Sequence, residues 1–345
     1  MKVLAWPAFK TRYKNPYNWL LYAPMEKLGV EVEEFTPQKL LTGRYDVIHL
    51  HWPVETIVRH PNPWVAAARV GAFLSLLNLA RWRGDRIIWT IHDEQPHVLL
   101  HSRLGHQCEH WLGKCTDAVI NLCEASQWAI YKRMPQLQNK PGFVIPHGHY
   151  REAYPNQTTA AAARERLHLP PGQPTLLYLG YISPYKNVPQ LINTFRQLPQ
   201  ENISLVIAGK PDHPALKEAI LQAAADDPRV HLHLRFIPEG ELQFFFNAAD
   251  WVVLPFESIL NSGSALLALS FDRPVLVPHL GAMPEWQQRL GQDWVKTYTG
   301  ELGTEVLTAT LDAIAHRPQT PAPLADLDWR TISQKTVEVY RKVVS

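Results

Sequence analysis

Short apolar runs alternate along this chain with longer stretches in which apolar positions recur every three or four residues. The runs at 2–6, 30–35, 46–52, 86–92, 116–123 and 143–148 predict six strands. Between the first two, residues 15–29 predict a helix: Asn15 stands where a cap would, Pro16 suits the first turn and Gly29 suits the end. After the polar stretch HYREAYPNQTT the pattern restarts, with runs at 175–181, 204–209, 230–236, 251–256 and 274–278. Helices are predicted near 187–198 and over 239–249. Alternation of this kind predicts an α/β fold with two doubly wound, Rossmann-like domains, over 1–150 and 151–329. The amphipathic segment 329–345 is expected to fold as a helix, its 330–345 part packing back on the first domain.

In such sheets ligands sit outside the carboxyl ends of the strands, so two halves facing a cleft direct attention to the strand ends. The stretch ILNSGSALLALSFDRPVLVP places Asn261, Ser262, Gly263 and Ser264 where an apolar helix begins. A helix N-terminus presents unpaired N–H groups and the positive end of a dipole, which suits an anion. The same residues also suit ordinary capping by Asn261 or Ser262. A second stretch, YLGYISPYKNV, sets Gly180 and Tyr181 at a strand end and Lys186 just before another helix. A lysine and a bare helix end together could neutralise a diphosphate.

Composition narrows the classes. With 345 residues, 46% hydrophobic and 19% charged, the chain has material for two cores. A net charge of +2, from 34 basic and 32 acidic residues, gives no support for nucleic-acid binding. Three cysteines without CxxC spacing suit a reducing compartment, and no secretory leader pattern is seen. GxGxxG, P-loop, GxSxG and HExxH motifs are absent. Sixteen histidines raise the question of metal, with His49 and His51 on one strand and His92, His97, His101, His106 and His110 following. No carboxylate pattern completes a ligand set, so no metal is expected. The segment 64–83 is strongly apolar, with Trp64 and Trp82 near its ends and Arg69, Arg81 and Arg83 among them. Its central apolar run is too short to span a bilayer. It suits either a helix buried on the first sheet or a peripheral contact with a membrane surface.

Taken in order, VIPHGHYREAYPN, LGYISPYKNV, LVIAGKP, FIPEGELQFFFNAADWVVLPF, NSGSALLALSFDRPVLVP and GAMPE resemble the retaining glycosyltransferases of family 4, which have the GT-B architecture. The first half adds NPYNWLLYAPMEKLGVEV, DVIHLHWP, WTIHDEQPH and TDAVINLCEAS, so the resemblance covers nearly the whole chain. It implies hexose transfer from a UDP- or GDP-sugar to a sugar or lipid-linked glycan, with retention of configuration and no cofactor. It further implies a role in polysaccharide or glycolipid assembly, in the cytoplasm or at the inner face of the membrane. The second domain would hold the donor: Lys186 and the N–H groups of Ser262, Gly263 and Ser264 on the diphosphate, and Arg235, Phe236 and Ile237 around the base. Gly180, Tyr181, Ser183, Gly209, Lys210, Glu257 and Asn261 would complete that site. His92 and Asp93 would face the donor sugar, with Asn15, Tyr17, His51, Trp52 and His147 on the acceptor side.

Two departures stand out. Many relatives carry two glutamates eight residues apart, but eight residues beyond Glu257 is Ala265. Many also carry an arginine where this chain has Ser183; Arg235 or Arg273 could replace its charge. A retired transferase that binds a glycan or partner enzyme, and a nucleotide-sugar epimerase or hydrolase, stay open at this point. Neither would need an acceptor hydroxyl.

Overall fold

The computed structural model describes residues 1–13, 15–93 and 100–345. His97 therefore lies outside the described residues. The chain divides into two compact units, Met1–Gly148 with Ala325–Ser345, and His149–Leu324.

Unit 1 is a six-stranded sheet in the order β2-β1-β3-β4-β5-β6, every pairing parallel. Its strands are β1 (Lys2–Trp6), β2 (Glu31–Glu34), β3 (Val47–Leu50), β4 (Arg86–Ile91), β5 (Ala118–Asn121) and β6 (Gly142–Val144). The helices between them are α1 (Tyr17–Tyr22), α2 (Pro37–Thr42), α3 (Pro53–Ile57), α4 (Pro63–Trp82), α5 (Ser102–Cys115) and α6 (Glu124–Arg133). β3 is buried throughout and β4 everywhere but its first residue, because helices cover both faces of a parallel sheet. One apolar cluster joins Leu4, Ile48, Ile87 and Val119 of the sheet to Leu40, Phe73, Leu112 and Ile130. It places α2, α4, α5 and α6 in a single layer.

The expected helix over 15–29 is interrupted. α1 stops at Tyr22 and a 3₁₀ turn runs from Ala23 to Leu28, because Pro24 has no N–H to continue the α-helical ladder. Asn15 Oδ1 accepts from the Tyr17 N–H at 3.1 Å, and Gly29 ends the turn at φ 76°. In α4 the expectation of burial on the first sheet holds for one side of the helix. Ala66, Val70, Phe73, Leu77 and Ala80 are buried, while Trp64 and Trp82 are 83% and 85% exposed.

Unit 2 is a second parallel six-stranded sheet, ordered β12-β11-β10-β7-β8-β9. Its strands are β7 (Thr175–Leu179), β8 (Ser204–Ala208), β9 (Val230–His233), β10 (Trp251–Val253), β11 (Val275–Pro278) and β12 (Val295–Tyr298). Its helices are α7 (Ala160–Arg166), α8 (Val188–Arg196), α9 (Pro214–Ala224), α10 (Leu242–Ala248), α11 (Gly263–Ser270), α12 (Met283–Leu290) and α13 (Thr304–Ala313). The edge strand β12 escapes the sequence reading: it is four residues long, and Lys296 and Thr297 interrupt its apolar character. The chain closes with α14 (Trp329–Val344), which belongs to unit 1. There Ser333 Oγ donates to the Leu21 carbonyl at 2.6 Å, and Trp329 packs so tightly on Gly148 that a Cβ at that glycine would lie 2.5 Å from its ring.

Candidate functional site

Each sheet has one place where the strand order reverses direction, and each candidate cluster sits on loops at such a place. In unit 2 the reversal falls between β7 and β10. The turn after β7 carries Gly180, Tyr181, Ser183 and Lys186; the segment after β10 carries Glu257 and Asn261 and leads into α11. A backbone bond from Glu257 N to Tyr185 O, 2.8 Å, ties the two loops together.

Gly180 is the centre of this arrangement. A Cβ there would stand 3.4 Å from Ser264 Oγ and 3.7 Å from Lys186 Nζ, so those two groups flank an open backbone. Gly180 has φ 151° and Gly209 has φ 153°, conformations that side chains rarely adopt. Gly209 runs against the same turn: its Cβ would fall 1.8 Å from the Gly180 carbonyl oxygen. Lys186 lies near the faces of Phe256 and Tyr185, its ammonium 5.4 and 6.0 Å from the ring centroids. Burial pulls its pKa down to about 8. A partly buried cation without a carboxylate partner among the described residues is a receptor for an anion.

The 262–264 turn is both a cap and a bare helix end. Ser262 Oγ accepts from the Ala265 N–H at 3.0 Å, which is ordinary capping. Among the described residues the N–H groups of Gly263 and Ser264 have no acceptor, and Gly263 is exposed.

The residues named for the base are arranged less uniformly. Arg235 is half-exposed and paired with Glu241 at 2.5 Å, Phe236 is 68% exposed, and Ile237 is buried. Lys210 is exposed, and its carbonyl accepts from the Ile182 N–H. Tyr181 OH donates to Asp212 at 3.1 Å. Arg273 cannot supply the charge missing at Ser183. It is committed to the Phe246 carbonyl at 2.7 Å and to Asn247 Oδ1 at 3.2 Å, in the packing of α10.

In unit 1 the reversal falls between β1 and β3, and there a chain of rings runs inward. His92 Nε2 meets His51 Nδ1 at 3.0 Å, and His51 Nε2 meets Tyr22 OH at 2.6 Å. Tyr22 OH also meets His49 Nδ1 at 2.8 Å, and His49 bonds Tyr340 OH at 2.6 Å and Thr90 Oγ1 at 2.7 Å. Trp52 stacks on His92 with centroids 3.9 Å apart, and its Nε1 donates to Asp93 at 3.2 Å. Tyr17 sets its ring edge-on to His92 and His147, at 4.8 and 4.7 Å. Burial lowers the pKa of His49 and His92 to about 3 and of His147 to about 4, and drives that of His51 well below its ordinary value. All four are neutral at pH 7.

Thus His49 and His51 are held by tyrosines, and no group of three metal-ligating side chains occurs among the described residues. His106 and His110 are exposed on α5. Sequence reasoning missed Tyr22, Thr90, Trp329 and Tyr340. It also missed Asn18 and Asn121, fully buried amides whose polar side-chain atoms have no partner among the described residues. Asn121 ends β5, in register with Ile91 just before His92. Asn18, Tyr22, Thr90 and Asn121 lie inside stretches that carry the resemblance, and Trp329 and Tyr340 inside the predicted last helix, but no local signal singles out any of the six.

Comparison with known proteins gives these sites a family. The family model described as glycosyl transferases group 1 matches residues 160–285. The chain is 32% identical over 329 residues to a GDP-mannose:glycolipid 4-beta-D-mannosyltransferase of Xanthomonas campestris pv. campestris, covering 94% of this chain and 88% of that one. Among solved structures, Anabaena HepE in complex with UDP and glucose superimposes with TM-score 0.68 at 16% identity, over 99% of this chain and all of that one. Sucrose-phosphate synthase from Thermosynechococcus elongatus gives TM-score 0.63 at 16% identity, over 100% and 94%. Two parallel Rossmann-like sheets with these neighbours make the fold GT-B. The chain belongs to the glycosyl transferases group 1 and is a glycosyltransferase.

Proposed function

We propose that this protein transfers mannose from GDP-mannose to a sugar hydroxyl of a glycolipid, at the cytoplasmic face of a membrane. The observation that carries the reading is the 32% identity to the mannosyltransferase, which extends over nearly the whole of both chains. Unit 2 would hold the donor, with its diphosphate between Lys186 and the Gly263–Ser264 N–H groups, and unit 1 the acceptor. Glu257 is exposed at the edge of the donor cluster and is assigned to the donor sugar. The nucleotide sugar enters as substrate, and the scheme uses no cofactor or metal.

Negative charge grows on the diphosphate as the anomeric bond breaks. Groups fixed in advance in a poorly solvated site stabilise it without reorganising. Lys186 fits that role, because an arriving anion opposes the burial that lowers its pKa and so favours the protonated form.

The stereochemical course is the finer point. The family 4 resemblance implies retention, whereas the relative is named for a β-mannosyl product. GDP-mannose carries its sugar in the α configuration, so a β product requires inversion, and we favour inversion here. A single displacement requires a base for the acceptor proton. Protonating His92 would create a buried cation, while protonating Asp93 removes a charge, so Asp93 is the better base. His92, held neutral and oriented by His51, would then hydrogen-bond a sugar hydroxyl.

The donor assignment is tested by calorimetric titration with GDP, UDP and ADP. GDP should bind about tenfold or more tighter than the others, equivalent to about 1.4 kcal/mol. Tighter binding of UDP would overturn the donor, and no binding of any of the three would favour the retired transferase.

A further inference from the structure

We propose that the outer faces of α4, α5 and α6 form a docking surface for an anionic lipid bilayer. These helices lie in one layer on the unit 1 sheet, and their outward sides carry four exposed tryptophans. Trp64 and Trp82 are 83% and 85% exposed, Trp128 is 68% and Trp111 is 52%. Trp64 and Trp82 are separated by eighteen residues, five full turns, so they share one side of α4 roughly 27 Å apart. Between them that side is built of Ala68, Gly71, Ser75 and Leu79. A helix apolar on both its inner and outer sides normally has a second apolar neighbour. Among the described residues of unit 1, none covers the outer side, where Trp64, Ala68, Gly71, Ser75, Leu79 and Trp82 are all exposed.

Charge identifies the occupant. α4 contains no acidic residue, and the three helices together carry Arg69, Arg81, Arg103, Lys114, Lys132 and Arg133 against Glu109 and Glu124. Glu109 is buried and already paired with Arg133 at 2.8 Å, and Arg81 faces Asp117 at 3.6 Å. Two of the tryptophans carry an ammonium over the ring: Lys114 lies 4.4 Å from the Trp111 centroid and Lys132 5.1 Å from that of Trp128. Indole beside a cationic side chain is the pairing that suits the headgroup region, where the ring is half-dehydrated and the cation meets phosphate. A second copy of the chain is the weaker candidate, since an isologous contact would oppose this positive surface to itself. The inference rests on exposure and charge and stands apart from the acceptor assignment.

The test is co-sedimentation of the full chain with vesicles of phosphatidylcholine alone and of equal parts phosphatidylcholine and phosphatidylglycerol. Binding should require the anionic lipid and weaken as salt is raised. The double variants Trp64→Ser/Trp82→Ser and Lys114→Glu/Lys132→Glu should each bind about tenfold or more weakly. Both should bind GDP like the parent, which shows that they fold and keeps this test separate from the donor assignment. Parent-like sedimentation of both variants, or no binding to anionic vesicles, would overturn the proposal. So would a dimer in sedimentation velocity that is lost in Trp64→Ser/Trp82→Ser, which would assign the face to a second copy.

Discussion

His51 and His92 share one hydrogen bond, Nδ1 to Nε2 at 3.0 Å, inside a wall of aromatic rings where both are neutral. Their folded pKa values lie below the ordinary value of 6.5, as do those of His49 and His147. Between about pH 3 and 6.5 the unfolded chain therefore binds protons that the folded chain does not. Stability from these groups is complete above about pH 6.5 and is lost as the pH falls toward 3, by up to about 1.4 kcal/mol per pH unit for each group. The melting temperature should accordingly drop steeply below pH 6, and His147→Gln should flatten the curve. A melting temperature constant from pH 7 to 4 would contradict this ionisation scheme.

Asp93→Asn keeps the shape of the side chain that receives the Trp52 Nε1–H and removes its basicity. Turnover should fall about 10²–10⁴-fold with GDP affinity unchanged. Parallel losses of kcat and of GDP affinity would instead mark Asp93 as structural.

For Lys186 the lowered pKa gives a signed expectation. In the free protein the amine loses its proton as the pH rises through about 8, so GDP affinity should fall above that pH. Calorimetry at high pH should register proton uptake on binding, in the free-to-bound direction. Lys186→Met should bind GDP weakly at every pH and turn over about 10²–10³-fold more slowly, with a melting temperature equal to or above the parent's because an unpaired desolvated charge is removed.

Gly209→Ala tests the backbone under the site. Its Cβ would collide with the Gly180 carbonyl, and neither atom belongs to a flexible side chain. The variant should lose about 2–4 kcal/mol of stability and should bind GDP less tightly, as the Gly180 turn shifts. Chemical denaturation with a GDP titration on the same sample reads both.

The strands were legible because a parallel sheet covered on both faces requires continuous apolar runs, which the inner strands produce, while the edge strands β2 (EVEE) and β9 (VHLH) produce a weaker alternation. β12 escaped, being a short edge strand whose Lys296 and Thr297 are half-buried. The donor cluster was partly legible: glycine at a strand end, lysine before a helix and a turn of small polar residues each have a local cause. The relay beneath the acceptor side was not. Tyr340 reaches His49 across 291 positions of sequence; the amphipathic pattern of 329–345 predicts that the helix packs on unit 1, but nothing local records that Tyr340 meets His49. Nor does sequence reveal that Arg273 is consumed by the carbonyl end of α10, a fact visible only once packing is known.

The central claim, mannosyl transfer from GDP-mannose, is tested most directly by incubating the protein with ¹³C-mannose-labelled GDP-mannose and a bacterial glycolipid extract, then recording the NMR spectrum of the lipid fraction. The account predicts a lipid-borne β-mannosyl anomeric signal that is lost with Lys186→Met. An α signal would contradict inversion and restore retention. Label confined to GDP-mannose or to free mannose, with GDP binding intact, would contradict transfer itself.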